Sequence, residues 1–383
     1  MWRTRPGSRI VGRLQKIQGL SGANMIEAYA NRISTSVPSH DVHRFFIDFA
    51  TSLLAQDTRR KAIFSRMADR GGIEHRFSCF APSDSPEGES LDQGGIFMRT
   101  SFPGTAQRMD MFASAAPILA TDAVEKVLLG EDREKITHLI VTTCTGFFAP
   151  GLDLEIMNRC GLPTGIERTM IGFMGCYAAI NALKMARHIV RSEHHARVLV
   201  VNVELCTLHL RQTNEFEKLL SFCLWGDGAA AALVSADQFG LRLDSFQAVV
   251  SAGTGDLMTW KVRDDGFDMV LSGQVPGAIH DALQANLGTY LGNKGVAHVD
   301  LWAVHPGGRS VLDAVERSLG LNAMALHASR EVLRQNGNMS SATVMFVLNQ
   351  MLREAPDDKI GCAMAFGPGL TAETMMFHTC GNA

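Results

Sequence analysis

The stretch TMIGFMGCYAAINALKMARHIV, residues 169–190, decides how the rest of the chain is interpreted. An apolar run passes through two glycines to Cys176 and continues as a helical pattern of apolar residues. Most buried cysteines are small core hydrophobes. A cysteine at a helix N-terminus, however, faces unpaired N–H groups and the positive end of the helix dipole, and both favour the thiolate. Because the thiolate is the nucleophilic form, we predict that Cys176 is a nucleophile.

Two more polar residues stand at junctions of the same kind. His305 ends the strand-like run VDLWAVHPGG and precedes a helical pattern, and Asn338 in QNGNMSSATVMFVLNQML immediately precedes another. Alone, His305 is explained as a strand-end histidine bonded to a carbonyl, and Asn338 as a helix N-cap. Together with Cys176 they mark three places where a buried strand or loop meets a helix. Polar side chains at such junctions can point into one cleft.

The composition limits the class of protein. A net charge of −3 and a pI near 6.5 give no electrostatic footprint for nucleic acid or an anionic membrane, so a small molecule or another protein is the expected partner. The chain is 46% hydrophobic and only 20% charged, which fits an α/β enzyme with a buried sheet. No apolar stretch approaches the roughly 18 residues of a membrane span.

The eight cysteines are scattered and include no CxxC pair. That pattern predicts reduced thiols in the cytoplasm and no metal site. Residues 1–22 carry basic side chains throughout without a continuous apolar segment, so we expect a basic N-terminal leader and not a signal peptide.

The order of elements predicts two α/β halves, residues 23–246 with the nucleophile and 247–383 with His305 and Asn338. Helical spacing covers 40–70, and buried strands are expected at 138–143, 197–206 and 226–237. The segment GLRLDSFQAVVSAGTG, from residue 240, alternates like a pair of strands. The chain closes with two strands around a Gly-Pro-Gly turn.

Five ordered motifs give the chain a family resemblance. They are GFMGCYAA around Cys176, WGDGAAA at 225–231, WAVHPGG at 302–308, GNMSSATVMFVL at 337–348 and AFGPGLTAET at 365–374. With them, residues 25–380 resemble the type III polyketide synthases, the chalcone synthase-like family of the thiolase superfamily. The resemblance implies a thiolase-like five-layered αβαβα fold made of two similar halves, a homodimer, coenzyme A thioester substrates, and no permanently bound metal or cofactor.

The resemblance also implies residue roles. Cys176 would carry the growing polyketide, while His305 and Asn338 would polarise thioester carbonyls and stabilise the enolate formed by decarboxylation of malonyl-CoA. An imidazolium at His305 would stabilise the Cys176 thiolate at neutral pH. Lys61, Arg66 and Arg70 would hold the phosphates of coenzyme A, with Ile63 standing where the family pattern has a lysine. Gly307 and Gly308 would line the path of the coenzyme A arm.

The pocket departs from that of the plant enzymes. Trp225 and Met269 replace two phenylalanines, and Trp260 replaces a glycine that lines the cyclisation chamber. The predicted substrate and cyclisation pocket consists of Cys144, Thr145, Ala149, Cys206, His209, Trp225, Trp260, Met269 and Ser340. Its small residues would open a tunnel for an alkyl chain, as in the bacterial and fungal alkylresorcinol and alkylpyrone synthases. For Cys144, Thr145, Ala149 and Cys206, simple core packing is an equal alternative. Trp225 and Trp260 could likewise be core aromatic residues.

The expected activity is therefore extension of a fatty acyl thioester by malonyl-CoA and closure to an alkylresorcinol or an alkylpyrone. The starter would arrive as acyl-CoA or on an acyl carrier protein. A ketoacyl synthase III that performs one condensation, and a catalytically silent binding subunit, are the alternatives. A cysteine peptidase is disfavoured because no papain- or caspase-like motif surrounds Cys176. The sequence leaves open the starter length, the number of extensions and the ring formed.

Overall fold

The computed structural model describes residues 26–54, 57–292 and 295–381, so the predicted leader at 1–22 lies outside the described residues. The strands are β1 Tyr29–Ser36, β2 His40–Asp41, β3 Phe77–Ser78, β4 His138–Thr143, β5 Glu167–Gly172, β6 Val198–Leu205, β7 Asp227–Ser235, β8 Gly240–Val250, β9 Met258–Arg263, β10 Gly266–Leu271, β11 Leu301–Val304, β12 Ile360–Gly367 and β13 Thr371–Cys380. The α-helices are α1 His43–Leu53, α2 Thr58–Arg70, α3 Thr105–Val127, α4 Leu152–Arg159, α5 Ala178–Ser192, α6 Phe216–Leu219, α7 Ser221–Leu224, α8 Val275–Leu291, α9 Arg309–Leu319, α10 His327–Asn336 and α11 Thr343–Glu354.

Nine strands form one mixed sheet in the order β11-β12-β13-β8-β1-β7-β6-β4-β5. In the N-terminal half, β4 runs parallel to β5 and β6, and β7 and β1 continue the sheet antiparallel. In the C-terminal half, β11 and β12 are parallel, and β13 and β8 follow antiparallel. Only the pairs Tyr29↔Arg242 and Ala30↔Leu241 join β1 to β8. The sheet therefore consists of two halves that meet at one short pairing.

Three apolar cores separate the layers. The first lies between α1–α4 and the outer face of the N-terminal half-sheet, and the third lies between α8–α10 and the outer face of the C-terminal half-sheet. The central core combines Leu183 of α5 and Met345 of α11 with Val200 of β6 and Ala363 of β12. Because α5 and α11 lie between the two half-sheets, the layers alternate αβαβα. This confirms the thiolase-like five-layered fold.

Several expectations about the elements are confirmed. Residues 138–143 form β4, the helical spacing over 40–70 corresponds to α1 and α2, and the last two strands flank Gly367–Leu370. The strand pair expected from residue 240 is wrong, because β8 is a single 11-residue strand whose partners are β13 and β1. The proposed division at 246/247 consequently falls inside β8. Among the described residues, no helix combines the length and apolar character that crossing a bilayer requires.

Candidate active site

Cys176 stands where β5 turns into α5, as the sequence predicted. The turn requires unusual backbone dihedral angles, because Phe173 has φ 57° and Gly175 has φ 72°. A Cβ atom on Gly175 would lie 2.1 Å from Cδ of Pro368, so only glycine fits there. Cys176 then sits in the 3-10 turn Gly175–Tyr177 that leads directly into α5. The backbone at Gly175 and Cys176 therefore packs closely against Gly367 and Pro368, at the N-terminus of α5.

The Cys176 thiol is buried, and its Sγ contacts Ser340 Oγ at 3.9 Å. Burial raises the pKa of Cys176 to about 12, although the contact with Ser340 acts in the opposite direction. The expectation that the helix terminus and His305 hold the thiolate at neutral pH is therefore not supported. Burial removes the thiol from water, which disfavours its charged form.

His305 follows β11 directly and is 1% exposed. Its backbone N–H donates to the carbonyl of Met364 at 2.7 Å, which continues the β11–β12 pairing by one residue. Within the described part of the chain, neither ring nitrogen has a hydrogen-bond partner. Burial lowers the pKa of His305 to about 3, so the ring is neutral. A buried imidazole whose nitrogens both lack protein partners is free to bond to a substrate.

Asn338 is fixed on both sides. Its backbone N–H donates to Leu224 and its carbonyl accepts from Gly226, which pairs it with the segment containing Trp225. Its Oδ1 accepts the Ser340 N–H at 2.9 Å, which forms an Asx turn just before the 3-10 turn Ser340–Ala342 that leads into α11. Its Nδ2 donates to the carbonyl of Gly307 at 3.2 Å. The helix N-cap explanation is wrong, because Met339 and Ala342 are the N-cap residues of the 3-10 turn Ser340–Ala342 and of α11. The amide N–H₂ of Asn338 is directed towards the loop after His305.

A continuous chain of contacts joins the three predicted residues. Cys176 meets Ser340, and the Ser340 N–H bonds to Asn338. Asn338 Nδ2 in turn donates to the Gly307 carbonyl, and the Gly307 N–H donates to the His305 carbonyl at 2.9 Å. Ser340 itself adopts φ 47°, a conformation that non-glycine residues rarely adopt. The structure thus brings Cys176, His305, Asn338 and the predicted pocket residue Ser340 into one buried centre.

A buried carboxylate that the sequence interpretation overlooked lies next to this centre. Glu204 on β6 is fully buried and accepts from Ser341 Oγ at 2.5 Å, Cys144 N at 2.9 Å and Thr145 Oγ1 at 2.9 Å. Burial raises the pKa of Glu204 to about 7 despite these hydrogen bonds. One acidic residue inside the apolar strand VLVVNVEL was the clue available in the sequence. We call Glu204 and its three donors the Glu204 network.

The predicted pocket residues Cys144, Thr145, His209 and Trp260 are tied to one another. The Cys144 Sγ accepts the Gly175 N–H at 3.0 Å, one residue before the nucleophile. Trp260 Nε1 donates to the Cys144 carbonyl at 2.7 Å, and His209 Nε2 donates to the Thr145 carbonyl at 2.6 Å. The first bond fastens the β9–β10 hairpin, and the second fastens the 3-10 turn after β6, to consecutive carbonyls of the loop after β4.

His209 uses both ring nitrogens inside the protein, since its Nδ1 accepts the Phe267 N–H at 3.1 Å. Its ring also stacks on Phe267 with centroids 4.1 Å apart. Burial lowers the pKa of His209 to about 3, which matches the one donor and one acceptor role of a neutral ring. His209 is therefore a strut between the loop after β4 and β10, and its nitrogens are not available to a starter.

The remaining pocket residues lie around this hairpin and the nucleophile loop. Met269 pairs with Trp260 across β9 and β10, so the two side chains share a face of the hairpin. Trp225 is 8% exposed and forms a bridge to Asn338. Cys206 is buried in the 3-10 turn after β6. Ala149 lines a cavity of about 680 Å³ with Phe112, Gly146, Phe148, Met170, Phe173 and Val262.

The residues predicted to hold coenzyme A lie on two segments that approach each other. Lys61, Arg66 and Arg70 are exposed on α2, and Gly307 and Gly308 lie between His305 and α9. The Arg309 guanidinium, next to Gly308, donates to the carbonyl of Arg70 at 3.2 Å. This bond places the C-terminal end of α2 beside the glycine segment that leads to His305.

Comparison with known proteins agrees with this architecture. The family model "Chalcone and stilbene synthases, N-terminal domain" matches residues 15–238, and the corresponding C-terminal domain matches residues 243–381. The chain therefore belongs to the chalcone and stilbene synthase family, the type III polyketide synthases. It is a malonyl-CoA-dependent acyltransferase of the chalcone synthase-like type, and that membership excludes a cysteine peptidase.

Individual relatives support the same assignment. The chain is 33% identical to bisdemethoxycurcumin synthase of Oryza sativa subsp. japonica, covering 96% of this chain and 95% of that one. It is 36% identical to the alpha-pyrone synthesis polyketide synthase-like Pks18 of Mycobacterium tuberculosis, over 70% of this chain and 72% of that one. The brown-algal PKS-I of Ectocarpus siliculosus has a TM-score of 0.82 at 26% identity, with coverage of 93% and 99%. The type III domain of Steely1 from Dictyostelium, at 23% identity, has the same fold with a TM-score of 0.83 over 93% of this chain and 100% of that one.

Proposed function

We propose that this polyketide synthase loads a long-chain fatty acyl thioester on Cys176, extends it with malonyl-CoA, and closes the product to an alkylresorcinol or an alkylpyrone. The observation that carries the catalytic part is the contact chain from Cys176 through Ser340, Asn338 and Gly307 to His305. This chain of contacts supports the roles proposed for Cys176 as nucleophile, Asn338 as amide donor and His305 as an imidazole without a protein partner. A centre of this kind suits acyl transfer followed by enolate formation.

Loading begins with a neutral pair, because burial opposes charge on both side chains. The His305 imidazole takes the proton of the Cys176 thiol as the sulfur attacks the starter carbonyl. Collapse of the tetrahedral intermediate breaks the bond to the coenzyme A sulfur. The imidazolium returns the proton to that leaving group, so the products are acyl-Cys176, free coenzyme A and neutral His305.

Extension uses the same donors in a second role. The thioester carbonyl of malonyl-CoA would accept hydrogen bonds from a ring N–H of His305 and from Asn338 Nδ2. Loss of carbon dioxide leaves an enolate whose charge falls on that oxygen, where the two donors stabilise it. The enolate carbon attacks the acyl-Cys176 carbonyl and releases the sulfur, which regains a proton. The chain, now two carbons longer and attached to coenzyme A, can return to Cys176.

The proposed alkyl starter is supported by the cavity that Ala149 lines. Its volume of about 680 Å³ lies within the range of roughly 300–1,000 Å³ typical of ligand pockets. It borders Thr143 and Gly146, which flank Cys144 and Thr145 on the loop after β4. The name of the mycobacterial relative specifies alpha-pyrone synthesis. Each methylene buried there would contribute up to about 0.8 kcal/mol until the cavity is full.

Ring closure is proposed to depend on the β9–β10 hairpin. Trp260 and Met269 share a face of that hairpin, and Trp260 is fastened to the loop that carries Cys144. A fixed indole would narrow the chamber and keep a tetraketide folded with carbon near carbonyl. That geometry favours aldol closure to a resorcinol, with some pyrone as by-product.

We also propose a cytoplasmic homodimer. β5 lies at the edge of the nine-stranded sheet, with four consecutive exposed residues from Glu167 to Met170. Met170, Phe147 and Phe173 are exposed apolar side chains at the mouth of the 680 Å³ cavity. A second subunit would cover this edge and close the cavity. The cytoplasmic location is supported by the eight free cysteines.

The test is product analysis with purified enzyme, malonyl-CoA and a panel of starters from hexanoyl-CoA to stearoyl-CoA, with coumaroyl-CoA included. The proposal predicts the highest kcat/KM with a long alkyl starter and products with the masses of alkylresorcinols and alkylpyrones. Ala149→Phe should shorten the preferred alkyl chain. A higher kcat/KM with coumaroyl-CoA would exclude the alkyl starter, and a product that stops after one extension would favour a ketoacyl synthase.

A further inference from the structure

The helix α2 has one face that the proposed reaction does not explain. Helical spacing places Arg59, Ile63, Arg66, Met67 and Arg70 on a single stripe, and all five side chains are exposed. Ile63 and Met67 are each 42% exposed, although both are large apolar residues. Across the part of the chain that the structure describes, the three arginines of this stripe have no carboxylate or hydrogen-bond partner. We call these five residues the α2 face.

The opposite side of α2 holds the helix to the protein. Phe64 is fully buried and its ring meets Phe216 with centroids 6.2 Å apart. Arg60 donates to the carbonyl of Asn214 at 2.9 Å and lies over the Phe216 ring. Because these contacts already fix the helix, the α2 face is not needed for folding. It is a positively charged surface on a protein whose net charge is −3.

The position of the α2 face relates it to the active site. Its Arg70 end lies beside the Gly307–Gly308 segment, through the bond from Arg309 to the Arg70 carbonyl. From there the face extends about 16 Å along the helix to Arg59, at 1.5 Å per residue. Cations at the inner end can hold the phosphates of coenzyme A. Phosphates do not account for two apolar side chains between the arginines, which need an apolar partner.

We propose that the α2 face docks an acyl carrier protein that delivers the starter, a partner for the active site that rests on the function proposed above. Coenzyme A and carrier proteins present their acyl group on the same phosphopantetheine arm, which enters past Gly307 and Gly308. A carrier protein adds an acidic helix with apolar residues among its carboxylates. That surface complements three unpaired arginines that enclose Ile63 and Met67. The arm then transfers its acyl group to Cys176 by the thioester exchange already described.

The experiment compares two donors of one acyl group. Palmitoyl-CoA and a purified type II acyl carrier protein carrying a palmitoyl-phosphopantetheine arm are each supplied with saturating malonyl-CoA. The variants are Arg59→Glu, which lies outside the residues assigned to coenzyme A, and Ile63→Asp, at the position where the family pattern has a lysine. The matched controls are Met324→Asp, at another exposed apolar residue, and Arg353→Glu, at another exposed arginine.

We expect Ile63→Asp and Arg59→Glu each to lower kcat/KM with the carrier protein by about tenfold or more. With palmitoyl-CoA, Arg59→Glu should change kcat/KM by less than about twofold, and Ile63→Asp should lower it by clearly less than with the carrier protein. The controls should change neither value. Equal losses with both donors, or no loss with the carrier protein, would overturn the proposal. So would a wild-type enzyme that uses palmitoyl-CoA but not the palmitoyl carrier protein. Failure with both donors would instead contradict the proposed function itself.

An anionic membrane is the competing partner for a basic face with apolar residues. Sedimentation with vesicles of phosphatidylglycerol and phosphatidylcholine tests it directly. We expect wild type and Ile63→Asp to sediment equally little. Strong binding by wild type that Ile63→Asp abolishes would assign the α2 face to a lipid surface and overturn the proposal.

Discussion

Glu204 and His305 are both buried polar side chains of this site, but they differ in how the protein treats them. The Glu204 carboxylate accepts hydrogen bonds from Ser341, Cys144 and Thr145, whereas neither His305 ring nitrogen has a partner in the described residues. A buried polar group with all its hydrogen bonds made inside the protein stabilises the fold. A buried polar group without a hydrogen-bond partner carries a desolvation cost that a bound ligand can offset. The comparison indicates that Glu204 stabilises the structure of the site, whereas His305 is available to bind the substrate.

The largest effect should come from removing the nucleophile. Cys176→Ala should abolish polyketide formation, because no other thiol in this centre meets both Ser340 and the helix terminus. Intact-protein mass spectrometry after incubation with palmitoyl-CoA should show an acyl adduct on wild type and none on the variant. Polyketide production by a folded Cys176→Ala protein would exclude covalent loading at this residue.

The second effect is the difference in the free energy of unfolding between variants of Glu204 and of His305. Glu204→Ala leaves the buried Cys144 N–H without an acceptor, removes the shorter bonds of Ser341 and Thr145, and opens a cavity, so we expect a loss of about 3 kcal/mol. His305→Ala breaks no hydrogen bond of the ring and loses only packing contacts, so it should cost less than Glu204→Ala. Urea denaturation of both variants measures the difference. A larger loss for His305→Ala would reverse the assignment of roles.

A third effect follows from the raised pKa of Glu204, about 7 in the folded protein against an ordinary value near 4.5. Between these pH values the unfolded chain loses the proton while the folded protein keeps it, so wild-type stability falls as pH rises. Glu204→Gln does not titrate and lacks this contribution. The stability of wild type relative to Glu204→Gln should therefore decrease by about 2–3 kcal/mol from pH 4.5 to pH 8. A difference that is constant with pH would show that Glu204 ionises normally.

The smallest effect concerns Trp260, whose indole N–H is already hydrogen-bonded, and its influence on the ratio of resorcinol to pyrone. Trp260→Phe removes the hydrogen bond to the Cys144 carbonyl but keeps an aromatic ring, and Trp260→Gly removes both. We expect the resorcinol-to-pyrone ratio to fall partly in the first variant and further in the second, with starter loading almost unchanged. A tenfold change needs only about 1.4 kcal/mol between the closing transition states. An unaltered ratio in both active variants would leave Trp260 a purely structural role.

The sequence was most informative where the relevant interaction is local. The junctions that carry Cys176, His305 and Asn338 follow from apolar patterns that end at a polar residue, and β4 matches its predicted range. The state of the thiol could not be predicted in this way. Local sequence shows the helix dipole at Cys176, but its burial depends on Ser340 and on the segment around Pro368, which are distant in the chain.

The Glu204 network and the contacts of the β9–β10 hairpin also depend on residues that are distant in the chain, so the sequence did not predict them. Glu204 is visible in the sequence as an acidic residue in an apolar strand. The groups that donate hydrogen bonds to it, however, lie in the loop after β4 and in the turn before α11. His209 was predicted to line the starter pocket on the basis of family resemblance. Its two hydrogen bonds, to Thr145 and to Phe267, exist only because β10 packs against the loop after β4.

The central claim is that His305 and Asn338 stabilise the malonyl-CoA enolate independently of the thiol. The most direct measurement is release of carbon dioxide from malonyl-CoA by Cys176→Gln and by Cys176→Gln combined with His305→Ala. The first variant should decarboxylate without making polyketide, and the second should be slower by about 10²–10³-fold, the cost of losing one oxyanion donor. Equal rates in the two variants, or no release by a folded Cys176→Gln protein, would contradict the claim.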